Sequence, residues 1–164
     1  MQAILLFGHG SVLCGAERNL LDLARAMEAD GAAAIVEAAF LSYTPPDLET
    51  ALARCVEREA ATVAIVPWFL VAGKFVVEEL PGRIGSVLSK FPEIEIVVAE
   101  PIRAHPGLAD AILACAERVR RPAEWRALAA VEAAASCRND PRCPLYGSPQ
   151  CPRAALAPTP AGSP

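Results

Sequence analysis

The chain has 164 residues, 54% of them hydrophobic and 21% charged, with a formal net charge of −4. That is enough apolar material for a packed core and too little charge for a disordered chain. With no basic stripe and few aromatics, nucleic acid is not an expected partner, and no apolar run reaches the length of a membrane span.

The first element is "AILLFG" (3–8), a short apolar run of strand length. The opening "MQAILLFGHG" has no basic leader and no cleavage site, so it reads as a strand and not as a signal peptide. The expected compartment is the cytoplasm. Six cysteines there are expected to be free, metal-binding or redox-active, and not a disulfide frame. His9, one of only two histidines, follows between Gly8 and Gly10. It reads either as a turn histidine contacting backbone, or as a metal ligand or general base in a ligand loop. Flanking glycines let a ligand approach the backbone closely.

A helix follows, with Leu20, Leu23, Ala24 and Met27 on one face. "AIVEAAFLS" (34–42) is the second strand and ends at Ser42. The next helix opens at "TPPDLE", where Thr44 is the expected cap, Pro45 fits the first turn and Asp47 suits the positive end. Leu48, Leu52 and Cys55 are its inward residues. "TVAIVPWFL" (62–70) is the third strand, followed by "LVAGKFVVEELP". The third helix turns Leu80, Ile84, Val87, Leu88 and Phe91 inward. "IEIVVAE" (94–100) is the fourth strand, ending at Glu100. A helix then begins at "HPGL", with Pro106 in its first turn and Leu108, Ile112, Cys115 and Val119 inward. For His105 a capping or packing role is sufficient.

Strands alternating with helices, and no hairpin signal, predict an α/β fold. The expected architecture is a parallel four-stranded sheet with helices on both faces. Right-handed crossovers bring the loop after every strand to one edge, where open α/β sheets bind ligands. This organisation covers residues 1–120. Residues 121–164 change character. "RRPAEWRALAAVEAAAS" predicts one more helix, and a Cys/Pro-rich tail follows whose last dozen residues are expected to be disordered.

Common phosphate loops fit poorly. Ser11 is the one hydroxyl available after strand 1, which disfavours FMN, and Leu13 stands where G-x-G-x-x-G needs its third glycine.

"LLFGHGS", "AAFLSYTPPDLETAL", "VAIVPWFLVAGKFVVEELP" and "AEPIRAHPGLADAIL" together resemble the short CbiX-type sirohydrochlorin chelatases, in order and spacing over residues 1–120. The resemblance implies a flavodoxin-like, chelatase-like fold. It implies insertion of Co2+ or Fe2+ into sirohydrochlorin, a tetrapyrrole of cobalamin and siroheme biosynthesis. Short members are similar to half of a two-lobed chelatase, which implies a homodimer. His9 would hold the incoming metal and take a pyrrole proton. Glu79 would be the carboxylate helper, with Glu78 beside it as a further metal ligand. Gly10, Ser11, Trp68, Gly73, Lys74 and Phe75 would line the substrate, with Lys74 suited to a ring carboxylate and the aromatics to the flat macrocycle.

The chain departs from the family pattern at three places. Phe75 stands where the family usually has a second metal-binding histidine, Ser42 replaces a carboxylate after strand 2, and Val12, Leu13 and Cys14 follow "HGS" in place of polar residues. The alternative is therefore a degenerate chelatase-like protein that binds a tetrapyrrole or metal without inserting it. Cys137, Cys143 and Cys151 form a C-x5-C-x7-C pattern. Clustered thiolates of this kind can hold zinc or an iron–sulfur cluster, with Cys115, Cys14 or a second chain completing the set. The other reading of these residues is a tail of free thiols.

Overall fold

The computed structural model describes residues 1–103 and 105–151, the side chain of Arg126 excepted. The expectation of disorder over the last dozen residues lies outside the described residues.

Four parallel strands form the sheet: β1 (Gln2–Gly8), β2 (Val36–Phe40), β3 (Thr62–Pro67) and β4 (Glu95–Val98), in the order β2-β1-β3-β4. The central strand, β1, pairs Phe7 with Ala39 on one side and with Pro67 on the other. Period-2 alternation sends its residues to two different cores. Ala3, Leu5 and Phe7 face a larger core, with Leu48, Ala51, Leu52 and Cys55 of α2 (Leu48–Glu57) and Leu80 and Val87 of α3 (Leu80–Leu88). Leu6 faces the opposite side, where Leu20 and Ala24 of α1 (Arg18–Ala29) pack on Val36, Ala38 and Phe40. The fold is thus the expected flavodoxin-like α/β layer arrangement, helices covering both faces. The inward residues of α1 and α2 are those the helical periodicity predicts.

The periodicity misleads at two elements. In α4 (Gly107–Ala116) no residue is buried: Ile112 is 59% exposed and Cys115 is also exposed, while Val119 beyond the helix is 82% exposed. The reason is that no packed surface receives it: α4 makes no extensive contact with any other described element, and β4, the edge strand before it in the chain, leaves Val97 and Val98 41% and 46% exposed. Leu88 of α3 is likewise 38% exposed and not inward. Thr44 does not cap α2. Asp47 does, accepting from the Thr50 N–H at 2.8 Å. The Thr50 hydrogen bonds hold the Asp47 carboxyl below its ordinary value.

At the edge where the strands begin, charged groups are tied together. Arg58 donates to both oxygens of Glu28 at 2.8 and 3.0 Å, and Glu28 also accepts from the Val36 N–H at 2.8 Å. Arg58 further reaches the Ala34 carbonyl at 3.1 Å and Glu37 at 3.5 Å. The guanidinium, and after it the Val36 N–H, hold the Glu28 carboxyl below its usual range. One ion-paired knot therefore joins the end of α1, the start of β2 and the end of α2. Cys55, close by in the core, is a packing residue. Burial first, and then the Glu37 charge, push its thiol up to about 11.

The last helix, α5 (Pro122–Ala135), forms as predicted; the Arg121 N–H donates to Glu124 at 3.0 Å. Beyond it the chain winds as successive turns to Cys151.

Candidate active site

The sheet ends in a ridge of loops at its C-terminal edge. Pairing runs past β1: the Leu41 and Ser42 N–H groups donate to the Gly8 and His9 carbonyls at 2.9 and 3.0 Å. On the other flank the Trp68 N–H donates to the Phe7 carbonyl at 2.8 Å, and the Ile102 N–H to that of Phe69 at 3.1 Å. His9 therefore follows the central strand at this edge, tied by its carbonyl to the β2 loop, with the β3 loop on the other flank and the β4 loop bonded to that of β3.

Gly10 is needed for that path. Its φ is +85°, and a Cβ there would collide with the Ser42 carbonyl oxygen. Ser11 is fixed by a reciprocal pair of bonds. Its N–H donates to the Thr44 hydroxyl at 3.0 Å, and that hydroxyl donates to the Ser11 carbonyl at 3.0 Å. Thr44 is 6% exposed, a buried polar clamp between the β1 and β2 loops. The Ser11 hydroxyl accepts from the Leu13 N–H at 3.0 Å, a local turn bond. The residue types expected to meet substrate here thus also set the loop's shape.

The His9 ring is exposed, with Nδ1 3.3 Å from the Gly10 carbonyl. In the tautomer in which Nδ1–H donates to that oxygen, Nε2 keeps its lone pair toward solvent. Phe75 stands edge-on to this ring, centroids 5.0 Å apart at 84°, and Phe69 stacks on Phe75 at 6.3 Å and 16°. The position that the resemblance assigns to a second histidine is thus directly beside His9 in space. It holds a ring that packs and cannot ligate. Nothing in the sequence singles out Phe69. Its place in "WFL" looks like strand core, and only the fold turns it toward Phe75.

Phe75 opens a π-helical turn, Phe75–Glu79, which runs straight into α3. This geometry is rare and frequent at functional sites. Glu78 is exposed and Glu79 half-buried. Among the described residues neither carboxylate, nor Lys74, makes a hydrogen bond or ion pair, and no three His, Cys, Asp or Glu side chains converge to hold a single metal ion. Trp68 (47% exposed), Leu70 (63%), Val71 (67%) and Val77 (62%) leave apolar surface on this side of the ridge, and Gly73 and Glu100 lie exposed in its loops. His105 caps: its Nδ1 accepts from the Gly107 N–H at 3.1 Å.

The tail cysteines lie elsewhere. Cys137, Cys143 and Cys151 line one cavity of about 550 Å³, and Cys14 of the β1 loop lines it with them. Cys115, exposed on α4, does not.

A parallel α/β sheet with a histidine-bearing glycine turn at the centre of its ligand edge defines a chelatase-like domain. The chain belongs to the CbiX family, whose model matches residues 3–120. It is 31% identical to the sirohydrochlorin ferrochelatase of Bacillus subtilis strain 168 over 101 residues, 62% of this chain and 39% of that protein. It is 26% identical to the sirohydrochlorin cobaltochelatase of Methanocaldococcus jannaschii, covering 69% of this chain and 96% of that one. Among solved structures it is similar to the sirohydrochlorin chelatase SirB of Bacillus subtilis subspecies spizizenii in complex with cobalt, with a TM-score of 0.65, 26% identity, and 82% and 60% of the two chains covered. The chain spans about two fifths of the length of the first relatives it matches.

Proposed function

We propose that the protein is a sirohydrochlorin chelatase, a lyase-class enzyme that inserts Co2+ or Fe2+ into the tetrapyrrole for cobalamin or siroheme. The observation that carries this is His9: exposed, tied through its carbonyl to the Ser42 N–H, and at the end of the central strand. Insertion exchanges two pyrrole N–H protons for one divalent ion. The site therefore needs a ligand weak enough to release the ion and a base to collect a proton. Neutral imidazole does both in turn. His9 holds the ion first, and the lone pair freed by its transfer then accepts one pyrrole proton; the other passes to solvent or to Glu79. Glu79, with Glu78 on the same turn, is the carboxylate helper, a donor type that suits a divalent ion alongside imidazole. Gly10, Ser11 and Gly73 shape the loops against the macrocycle. Trp68 and Phe75 give it apolar faces, and Lys74 pairs with a ring carboxylate.

In this reading residues 1–120 are the chelatase domain and 121–164 an appended helix and tail, whose cysteines hold an iron–sulfur cluster or zinc. The working unit is a homodimer. The exposed Val97, Ile112 and Leu113 of β4 and α4 supply apolar surface for a second copy. No described helix is long and apolar enough to cross a membrane, and the reaction belongs in the cytoplasm.

Phe75 favours one alternative, a protein that binds the tetrapyrrole or the metal without inserting it. Anaerobic absorbance titration separates the two. Both readings predict a spectral shift on binding sirohydrochlorin. Only the enzyme produces the metallated spectrum faster than the protein-free mixture, and a protein-free rate would leave the binding reading alone.

A further inference from the structure

The turn that carries His9 is fastened to the β2 loop at two points, and the second fastening is made by a side chain. At the first, strand pairing continues as backbone, the Ser42 N–H donating to the His9 carbonyl at 3.0 Å. Beyond it both chains leave extended geometry for the left-handed region, at Gly10 (φ +85°) and at Tyr43 (φ +64°). The Thr44 hydroxyl stands in place of the next rung. It accepts from the Ser11 N–H at 3.0 Å and donates its one proton to the Ser11 carbonyl at 3.0 Å. The span from His9 to Ser11 is thus anchored at its first residue by Ser42 and at its last by Thr44.

The Gly10–Ser11 peptide carries this anchor to the imidazole. Its N–H is the one that Thr44 receives, and its C=O is the Gly10 carbonyl, 3.3 Å from His9 Nδ1. A trans peptide is planar, so its N–H and C=O point in opposite directions and turn together. Fixing the N–H on Thr44 therefore fixes where the carbonyl points. A carbonyl oxygen has no proton to give, so it bonds Nδ1 only when Nδ1 carries the proton, and the lone pair is then left on Nε2. Phe75, edge-on to the ring, supplies no donor or acceptor that could favour the other tautomer. Among the described residues, the Gly10 carbonyl is the ring's one hydrogen-bond partner.

We propose that Thr44 is a positioning residue for metal insertion: through the Gly10–Ser11 peptide its hydroxyl holds His9 as the Nδ1–H tautomer, with Nε2 presented to the incoming ion. This rests on the reading of His9 as the group that holds the metal and then collects a proton. Thr44 is 6% exposed and acts through the loop, not on the substrate. Valine there would keep the shape of the side chain, leave the Ser11 N–H and carbonyl without their partner, and free the peptide to turn. Serine would keep the hydroxyl and with it both bonds.

The test reads the tautomer and the reaction separately, both on the full chain. NMR of the ring nitrogens, in nitrogen-labelled and metal-free protein at about pH 8.5, observes neutral imidazole. The chain has only two histidines, so His9→Ala assigns the signals. The expected result is Nδ1–H at His9 in the wild type and in Thr44→Ser, and a shift toward Nε2–H in Thr44→Val and Thr44→Ala. In cobalt insertion, Thr44→Val and Thr44→Ala should lower kcat at least about tenfold while KM for sirohydrochlorin changes less than about twofold. Thr44→Ser should stay within about threefold of the wild type in both. An Nε2–H signal at His9 in the wild type overturns the proposal, whether or not the variants fold. An unchanged tautomer in Thr44→Val overturns it as well, and a kcat loss that Thr44→Ser does not restore reduces Thr44 to a structural residue. A wild type no faster than the protein-free mixture overturns the chelatase reading and the catalytic role with it, while the nitrogen signals still decide whether Thr44 sets the tautomer.

Discussion

The two ends of the sheet differ in how their polar groups are used. Where the strands begin, Glu28, Arg58, Glu37 and Arg54 bond to one another and to backbone, and little is left over for a ligand. Where the strands finish, His9, Lys74, Glu78 and Glu79 have no ion partner among the described residues, and apolar side chains stand in solvent beside them. The loop backbone there is nevertheless tightly held, through Thr44, Gly10 and the continued strand pairing. One end is satisfied internally and contributes stability. The other is rigid in its backbone and unsatisfied in its side chains, which is how a site is held ready for a ligand.

The contrast can be broken at either end. His9→Ala should lower the metal-insertion rate at least about 100-fold, the lower range for loss of a positioned proton acceptor, with an unchanged circular dichroism spectrum. Phe75→His should sharpen the comparison. It restores a second imidazole beside His9 and should raise metal affinity, measured by titration, about tenfold, or about 1.4 kcal/mol. Arg58→Ala should act only at the opposite end. The Arg58–Glu28 pair is 38% and 34% exposed and so screened by solvent; the loss, read from urea unfolding, should be about 1 kcal/mol. The smallest effect is that of pH. Glu28 and Asp47 are held below the ordinary carboxylate range by the Arg58 and Thr50 bonds. Their contribution is therefore complete above the unfolded value, about pH 4, and is lost as pH falls through their lowered folded values. Unfolding midpoints should be flat near neutrality and decline in acid, and the decline should be shallower in Arg58→Ala.

Much of this was legible from residue order. The four apolar runs and the helical spacing of Leu20, Ala24, Leu48, Leu52 and Cys55 carry the layer arrangement, because burial against a central parallel sheet enforces both periods. The same rule failed at Ile112 and Cys115 of α4. Periodicity reports an apolar face and says nothing of whether an edge strand offers a core to receive it. At the site, the glycine-flanked His9 and the departure at Phe75 could both be read from the sequence, and the fold sets them ring to ring. The Thr44 clamp and Phe69 could not, and of the cysteines left open as companions of the tail only the fold places Cys14, and not Cys115, on the same cavity wall. Each depends on contacts across loops distant in the chain, for which a single sequence carries no local signal. Thr44 in particular sits where a cap is expected, and Asp47 took that role.

The most direct test of the division between the two ends is the anaerobic initial rate of cobalt insertion into sirohydrochlorin, measured side by side for the wild type, His9→Ala, Arg58→Ala and a protein-free mixture. The account predicts that the wild type and Arg58→Ala run together well above the protein-free mixture, with His9→Ala close to it. A wild type no faster than the protein-free mixture, or a His9→Ala variant as fast as the wild type, would contradict it.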